Sequence, residues 1–430
     1  MEQTTVCHVV AMPYPGRGHI YPIMNLCKLL SSKSKKHRLL ITFVVTEEWL
    51  SYIDSDPKPN NFRFDSIPNF VPPEPVMTKM EELLDRLQPP VDAMLGDVEL
   101  LWMISVGNRR NIPVASVWTM LAVFFSMFHH WDLFLRNRHL PLNSLESQLI
   151  HHVDHIPGLS STQVADLQTV IHETDPIVLQ LAMKCISRVA KAQYLLLTSV
   201  YELEPQAFDT LNALFPFPVY PIGPAIPYLE LEHNSSIART HNIPNYLQWL
   251  DSQPTGSVLY ISLGIFLSVS GTQMDEIAAG LRNCGVRFLW VARGEASRLK
   301  ESCGDMGLVL CHSSIGGFWT HCGWNSTLEA IFAGAPMLTF QLFLDQVPNS
   351  RLIVGDWKIG WLVNRSTVGN EISVTKEEIS ELVQSFMNME SGEGKELRER
   401  ARALKDICRH AIGDGGSSYT YLDAFLEAIS

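Results

Sequence analysis

The run His321-Cys322-Gly323-Trp324-Asn325-Ser326-Thr327-Leu328-Glu329, with Asp345-Gln346 after one further apolar segment, decides how this chain is read. A strand or loop ends in His-Cys-Gly-Trp, and the pattern predicts a helix from Asn325-Ser326 to Gly334. The first turn of a helix presents unpaired N–H groups and the positive end of the macrodipole. Such an end is a ready seat for a diphosphate. Asn325, Ser326 and His321 add side-chain donors, and Glu329 lies one turn in, where a carboxylate can accept two hydroxyls of a ribose.

Ser326-x-x-Glu329 is equally a capping box, in which both side chains only satisfy N–H groups at the helix start. His321, Trp324, Asn325, Asp345 and Gln346 have no part in such a box, and their company points beyond capping.

Outward from this run, short apolar segments alternate with helical patterns, the mark of a parallel sheet covered by helices. In the first half Val6–Met12, Leu39–Val45, Ala93–Gly96, Val114–Val117 and Tyr194–Ser199 read as strands. Pro22–Leu30 reads as a helix with proline in its first turn. The polar, non-periodic stretch 231–243 reads as a linker. A second alternation follows: strands at Ser257–Leu263, Arg287–Ala292 and Pro336–Phe340, and helices at Thr272–Asn283, Glu377–Met387 and Lys395–Arg409. Gly415-Gly416-Ser417-Ser418 then breaks into a final amphipathic helix.

A chain of 430 residues is too long for one ordinary core, so two α/β domains are expected. The net charge, 33 minus 45 or −12, argues against nucleic acid or an anionic membrane as the main partner. The eight cysteines, scattered through apolar runs, read as reduced core residues. The longest apolar stretch, Val114 to Phe128, is short of the roughly 20 residues a span needs and reads as a buried helix. No signal-peptide pattern opens the chain, and the expectation is a soluble cytoplasmic protein.

After the first strand comes Pro15-Gly16-Arg17-Gly18-His19-Ile20-Tyr21-Pro22. Tyr21 stands where a dinucleotide fingerprint needs its third glycine, which disfavours an NAD site. His19 falls at the mouth of the sheet, just before a predicted helix start, where the positive dipole end favours the neutral imidazole that a base requires. The mirrored pairs Cys311-His312 and His321-Cys322 are a poor zinc set, because adjacent side chains on a strand point to opposite faces. No Gly-x-Ser-x-Gly elbow supports a hydrolase triad.

The run from His312 to Gln346 resembles the signature box of the plant family 1 UDP-sugar glycosyltransferases, and the resemblance extends over nearly the whole chain. It implies the GT-B fold: two Rossmann-like, doubly wound domains facing each other. Residues 1–230 would bind the acceptor and 244–409 the nucleotide sugar, with 410–430 crossing back onto the first domain. It implies an inverting transfer of a sugar, usually glucose, from a UDP-sugar to a hydroxyl of a small lipophilic acceptor. His19 matches the family's base and Asp97 the acidic partner that orients it, with Glu99 a nearby competitor. His321, Trp324, Asn325, Ser326 and Glu329 match the donor site, and Asp345 and Gln346 would hold the sugar hydroxyls. No metal or other cofactor is expected, and the family implies a monomer.

The chain also departs from the family. Gly307-Leu308-Val309-Leu310 runs straight into Cys311-His312, omitting about ten residues that carry a uracil-stacking Trp and a Gln. Ile265 stands where a hydroxyl residue is frequent beside the phosphates, and Gln341 replaces a Pro. Two functional classes follow: an active UDP-glycosyltransferase, or a catalytically impaired homologue that acts as a small-molecule binding protein or arises from a faulty gene model.

Overall fold

Strand β1 (Cys7–Met12) is buried along its whole length, and its alternate residues enter two different cores. Val9 and Ala11 face one apolar cluster, and Val10 and Met12 face the other. A strand sandwiched in this way belongs to a parallel sheet with helices on both faces. The computed structural model describes residues 6–33, 39–53, 58–69, 73–131, 133, 156–160, 163, 166–167, 169–171, 174–228, 231, 245–264, 271–291, 304–342, 344–363, 366–368 and 371–430. It divides into two compact units, Met1–Ile226 with His410–Ser430, and Pro227–Arg409.

In the first unit β1 is followed by α1 (Arg17–Lys33), β2 (Leu39–Thr46), α2 (Glu47–Ile53), β3 (Phe62–Ile67), α3 (Pro73–Arg86), β4 (Ala93–Asp97) and α4 (Met103–Arg110). Then come β5 (Val114–Trp118), α5 (Ala122–His129), α6 (Pro176–Val189), β6 (Tyr194–Leu197), α7 (Pro205–Leu214) and β7 (Val219–Pro221). The seven strands lie in the order β3-β2-β1-β4-β5-β6-β7, and every pairing is parallel. The order reverses between β1 and β4, which creates a crevice at their carboxyl ends.

The second unit contains α8 (Asn245–Asp251), β8 (Val258–Ser262), α9 (Gly271–Asn283), β9 (Arg287–Trp290), α10 (Gly304–Leu310), β10 (Ile315–Thr320), α11 (Trp324–Ala333) and β11 (Met337–Thr339). These lead to α12 (Gln346–Arg351), β12 (Gly360–Leu362), the hairpin β13 (Ser366–Val368) and β14 (Glu371–Ser373), α13 (Lys376–Met387) and α14 (Gly392–Ile412). Its five-stranded parallel sheet has the order β12-β11-β10-β8-β9, with the reversal between β8 and β10.

The last helix, α15 (Ser417–Ile429), completes the first unit. Leu422, Phe425, Leu426 and Ile429 join the cluster that contains Val9 and Ala11. Polar contacts fix its register. Lys33 Nζ donates to Asp423 at 2.9 Å and lies over the Tyr419 ring, and the Tyr194 hydroxyl donates to the Ala428 carbonyl at 3.1 Å.

Several sequence expectations are corrected. Helix α1 begins at Arg17, five residues before Pro22, because the Gly16 carbonyl already accepts from the His19 and Ile20 N–H groups at 3.0 and 2.8 Å. Pro22 therefore sits inside the helix, supplying no N–H to the Gly18 carbonyl. The segment Val114–Phe128 is a strand, a turn and a helix. Strands β3 and β7 lie beyond the predicted set. Cys311 is exposed, whereas the other described cysteines are buried. Most of the 231–243 linker, Ile265 and Cys303 fall outside the described residues. No helix among the described residues is long and apolar enough to cross a membrane.

Phe425 is fully buried between Tyr194 and Tyr220. Phe425→Ala is expected to cost about 3–5 kcal/mol of the first unit's stability. The denaturation midpoint of that unit checks this, and an unchanged midpoint would show that α15 contributes little to the core.

Candidate active site

Three neighbouring strands bring one cluster together at the crevice of the first unit. Pairing of Met12 with Gly96 places the end of β1 beside the end of β4, and pairing of Asp97 with Val117 places the end of β5 on the far side of β4. His19 lies in the first turn of α1, not ahead of it, and its Nδ1 is 2.8 Å from Asp97 Oδ2. Asp97 is 4% exposed, and its other oxygen accepts from the Glu99 N–H at 3.0 Å. The Thr119 hydroxyl, just past β5, is 3.2 Å from the same Nδ1. Tyr14 meets the imidazole edge-on.

With Nδ1–H directed at the carboxylate, Nε2 carries the lone pair. Glu99 Oε1 lies 3.8 Å from Nε2, so the two acidic candidates stand by different nitrogens of the ring. Asp97 has the hydrogen bond. Burial raises the Glu99 carboxyl, His19 lowers it, and Asp97 raises it further. The orienting partner that a base needs on one nitrogen is present, as Asp97 on Nδ1.

The second unit places its cluster at the matching point of its own sheet. His321 follows β10, and its ring lies between Gly264, after β8, and Gly323. A Cβ at Gly264 would lie 2.9 Å from the ring, and one at Gly323 would lie 2.5 Å from it. Gly264 has φ +80°, so both space and backbone call for glycine. Cys322 turns the chain at φ 67°.

Helix α11 starts at Trp324, one residue earlier than predicted, with Gly323 as its N-cap and no side-chain cap. Ser326 and Glu329 therefore do not form a capping box. Ser326 instead lies inside the first turn, with its hydroxyl 4.0 Å from Met306 Sδ of α10. Glu329 is 6% exposed, and its Oε2 has no hydrogen-bond partner. Burial pushes its pKa up to about 8. Asn325 is half-buried on the same turn. Trp324 is buried, tilted against Trp357 at 6.4 Å, with its indole N–H unbonded.

Asn349 ties the two parts of this cluster together. Its amide donates to the Cys322 carbonyl at 2.7 Å and to Asp345 Oδ2 at 2.9 Å. Gln346 Oε1 accepts from the Leu342 N–H at 2.8 Å. Gln341 is half-buried, with its Oε1 unbonded. Among the described residues no group of three His, Cys, Asp or Glu side chains is placed to hold a metal ion.

Sequence reasoning missed Thr119 and Asn349. Both are short polar residues inside apolar or helical patterns, and only the sheet order reveals what they touch.

The family described as UDP-glucoronosyl and UDP-glucosyl transferase matches residues 76–391. UDP-glycosyltransferase 87A1 of Arabidopsis thaliana is 47% identical over 445 residues, covering 97% of this chain and 99% of that protein. The chain belongs to the plant family 1 UDP-glycosyltransferases. UDP-glycosyltransferase 87A2 of the same plant is 46% identical, covering 98% of this glycosyltransferase and 97% of its own length. The structure of Phytolacca americana UGT2 complexed with UDP-2fluoro-glucose and pterostilbene superposes with a TM-score of 0.80 at 26% identity, covering 99% of this chain and 100% of that one. Medicago truncatula UGT71G1 complexed with UDP-glucose superposes with a TM-score of 0.77 at 25% identity, covering 100% and 99%.

The Glu329 pKa gives a test of the buried carboxyl. Its folded pKa of about 8 lies above the usual 4.5, so the unfolded chain releases this proton first as pH rises. Stability is fully present below about 4.5 and falls as pH climbs towards 8, by roughly 4–5 kcal/mol at most. Glu329→Gln is expected to raise the melting temperature of the second unit near pH 8 and to leave it nearly unchanged near pH 4.5. Equal effects at both pH values would reject a protonated, buried Glu329.

Proposed function

We propose that this glycosyltransferase moves glucose from UDP-glucose to a hydroxyl of a small lipophilic acceptor, with inversion at the anomeric carbon. The observation that carries this reading is the 2.8 Å contact between His19 and a buried Asp97 at the crevice of the first unit. Similarity to proteins solved with UDP-glucose, UDP-2fluoro-glucose and pterostilbene supports the choice of substrates.

In this reading His19 Nε2 takes the proton of the acceptor hydroxyl, and Asp97 stabilises the imidazolium that forms. The acceptor oxygen bonds to the anomeric carbon from the face opposite the leaving group. The bond from that carbon to the diphosphate oxygen breaks, and its electron pair leaves with UDP. The N–H groups at the start of α11, with Asn325, Ser326 and His321, meet the growing negative charge. Glu329 accepts from the ribose hydroxyls, Trp324 backs the turn, and Asp345 and Gln346 position the sugar. Fixed dipoles and an imidazole do the work of a cation here, so no metal or further cofactor is invoked. The protein acts as a cytoplasmic monomer.

A second reading, a homologue impaired in donor binding, draws on one specific observation. Helix α10 packs on α11 and brings Met306 against Ser326, over the face that holds Glu329. The chain is short by about ten residues just there, and the stacking wall it lacks is worth roughly 1–3 kcal/mol of nucleotide affinity.

Calorimetry with UDP and UDP-glucose separates the two readings. Binding in the micromolar to submillimolar range is expected of the enzyme, and no heat at millimolar UDP sinks it in favour of the impaired homologue. Given binding, His19→Ala is expected to lower kcat by about 10²–10⁴-fold while UDP affinity stays nearly constant. Turnover close to the parent's would reject His19 as the base.

A further inference from the structure

The side chain of Glu204 lies outside the groups that the proposed reaction uses, yet it is fully enclosed and makes three hydrogen bonds. Its Oε2 accepts from the Ala122 N–H at 3.0 Å and from the Ser199 hydroxyl at 2.5 Å, and its Oε1 accepts from the Val123 N–H at 2.9 Å. Ala122 and Val123 are the first two residues of α5, so a carboxylate from 80 residues further along the chain satisfies the start of that helix. The backbone of the same residue begins α7, where its carbonyl accepts from the Ala207 and Phe208 N–H groups at 3.1 and 3.2 Å. Phe208 is fully buried, which fixes α7 in the core.

Only Thr119, Met120 and Leu121 separate β5 from α5. This turn is held at its other end as well. The Trp118 carbonyl accepts from the Thr198 N–H at 3.0 Å, and the Trp118 indole donates to the Leu121 carbonyl at 2.9 Å. Thr119, 3% exposed within it, places its hydroxyl 3.2 Å from His19 Nδ1.

We propose that Glu204 is a positioning residue: its carboxylate clamps the start of α5, which sets Thr119 against His19 Nδ1 and so fixes the orientation of the imidazole. The inference rests on the proposed role of His19, but the contact network it invokes is independent of that role. Burial alone raises the Glu204 carboxyl, and the bonds from Ser199, Val123 and Ala122 oppose the shift. A simple helix cap would stabilise α5 without reaching His19. What distinguishes a clamp is energetic coupling to Thr119.

Glu204→Gln keeps the shape but leaves one acceptor oxygen, so one of the two helix N–H groups faces an amide donor. Three variants, Glu204→Gln, Thr119→Val and the double substitution, are compared by kcat and by NMR titration of the His19 imidazole without substrate. Asp97, Glu99 and Tyr14 face the same ring and are unchanged throughout. Each single variant is expected to lower kcat by about 10- to 100-fold with little change in KM for UDP-glucose, and to shift the His19 titration by about half a unit. The double variant is expected to match the single ones. Multiplied effects in the double variant, or a His19 titration that does not move in Glu204→Gln, would overturn the proposal. If Glu204→Gln does not fold, Ser199→Ala removes one bond to the same carboxylate and must give a smaller shift of the same sign. No shift in that variant is also a negative outcome. Because the titration is read without turnover, it remains informative even if His19→Ala proves active.

Discussion

Parallel pairing of β1 with β4 is the constraint on which the rest of the first unit depends. The register that sets Met12 beside Gly96 fixes where both strands end, and everything that approaches His19 does so from those ends. Asp97 is the last residue of β4, Thr119 follows β5, and His19 starts the helix after β1. A slip of one residue in any of these strands would turn its side chains to the opposite face and remove one partner from the imidazole. The second unit repeats the principle with β8 and β10, whose ends bring Gly264 to His321.

Much of this was legible in the sequence, for reasons particular to the residues. The run from His321 to Glu329 is long, and most of its polar members lie at a helix start or just before one, so few alternative readings survive. The pairing of His19 with Asp97 was legible only through family resemblance, because 78 residues separate them and no periodicity joins them. Errors fell at helix starts. Asn325-Ser326 carries the statistical preference for an N-cap, but Gly323 takes the position because Cys322, at φ 67°, has already turned the chain. Pro22 suggests a first turn, but the helix has already begun at Arg17, where the Gly16 carbonyl accepts from the His19 and Ile20 N–H groups. Glu204 was illegible: a glutamate before a proline reads as a helix start, and nothing local shows that its side chain serves a second helix.

The two sheets differ at the edge beyond their second strand. In a doubly wound unit the third strand lies outside the second. The first unit has that strand, β3 outside β2. In the second unit no strand lies outside β9 among the described residues, and residues 292–303, which follow β9, fall outside them. His321 follows β10 and sits against Gly264 after β8, and Asp345 and Gln346 follow β11, so this cluster hangs on the three strands β8, β10 and β11.

The glycine slot around His321 has an entropic consequence. Gly264 and Gly323 come from different strand ends, and both approach the ring too closely for any side chain to intervene. An imidazole held on two sides by backbone gives up its rotational freedom when the chain folds. A ligand that met the ring would not have to supply that ordering again. The rigidity of this one ring is therefore set during folding of the second sheet.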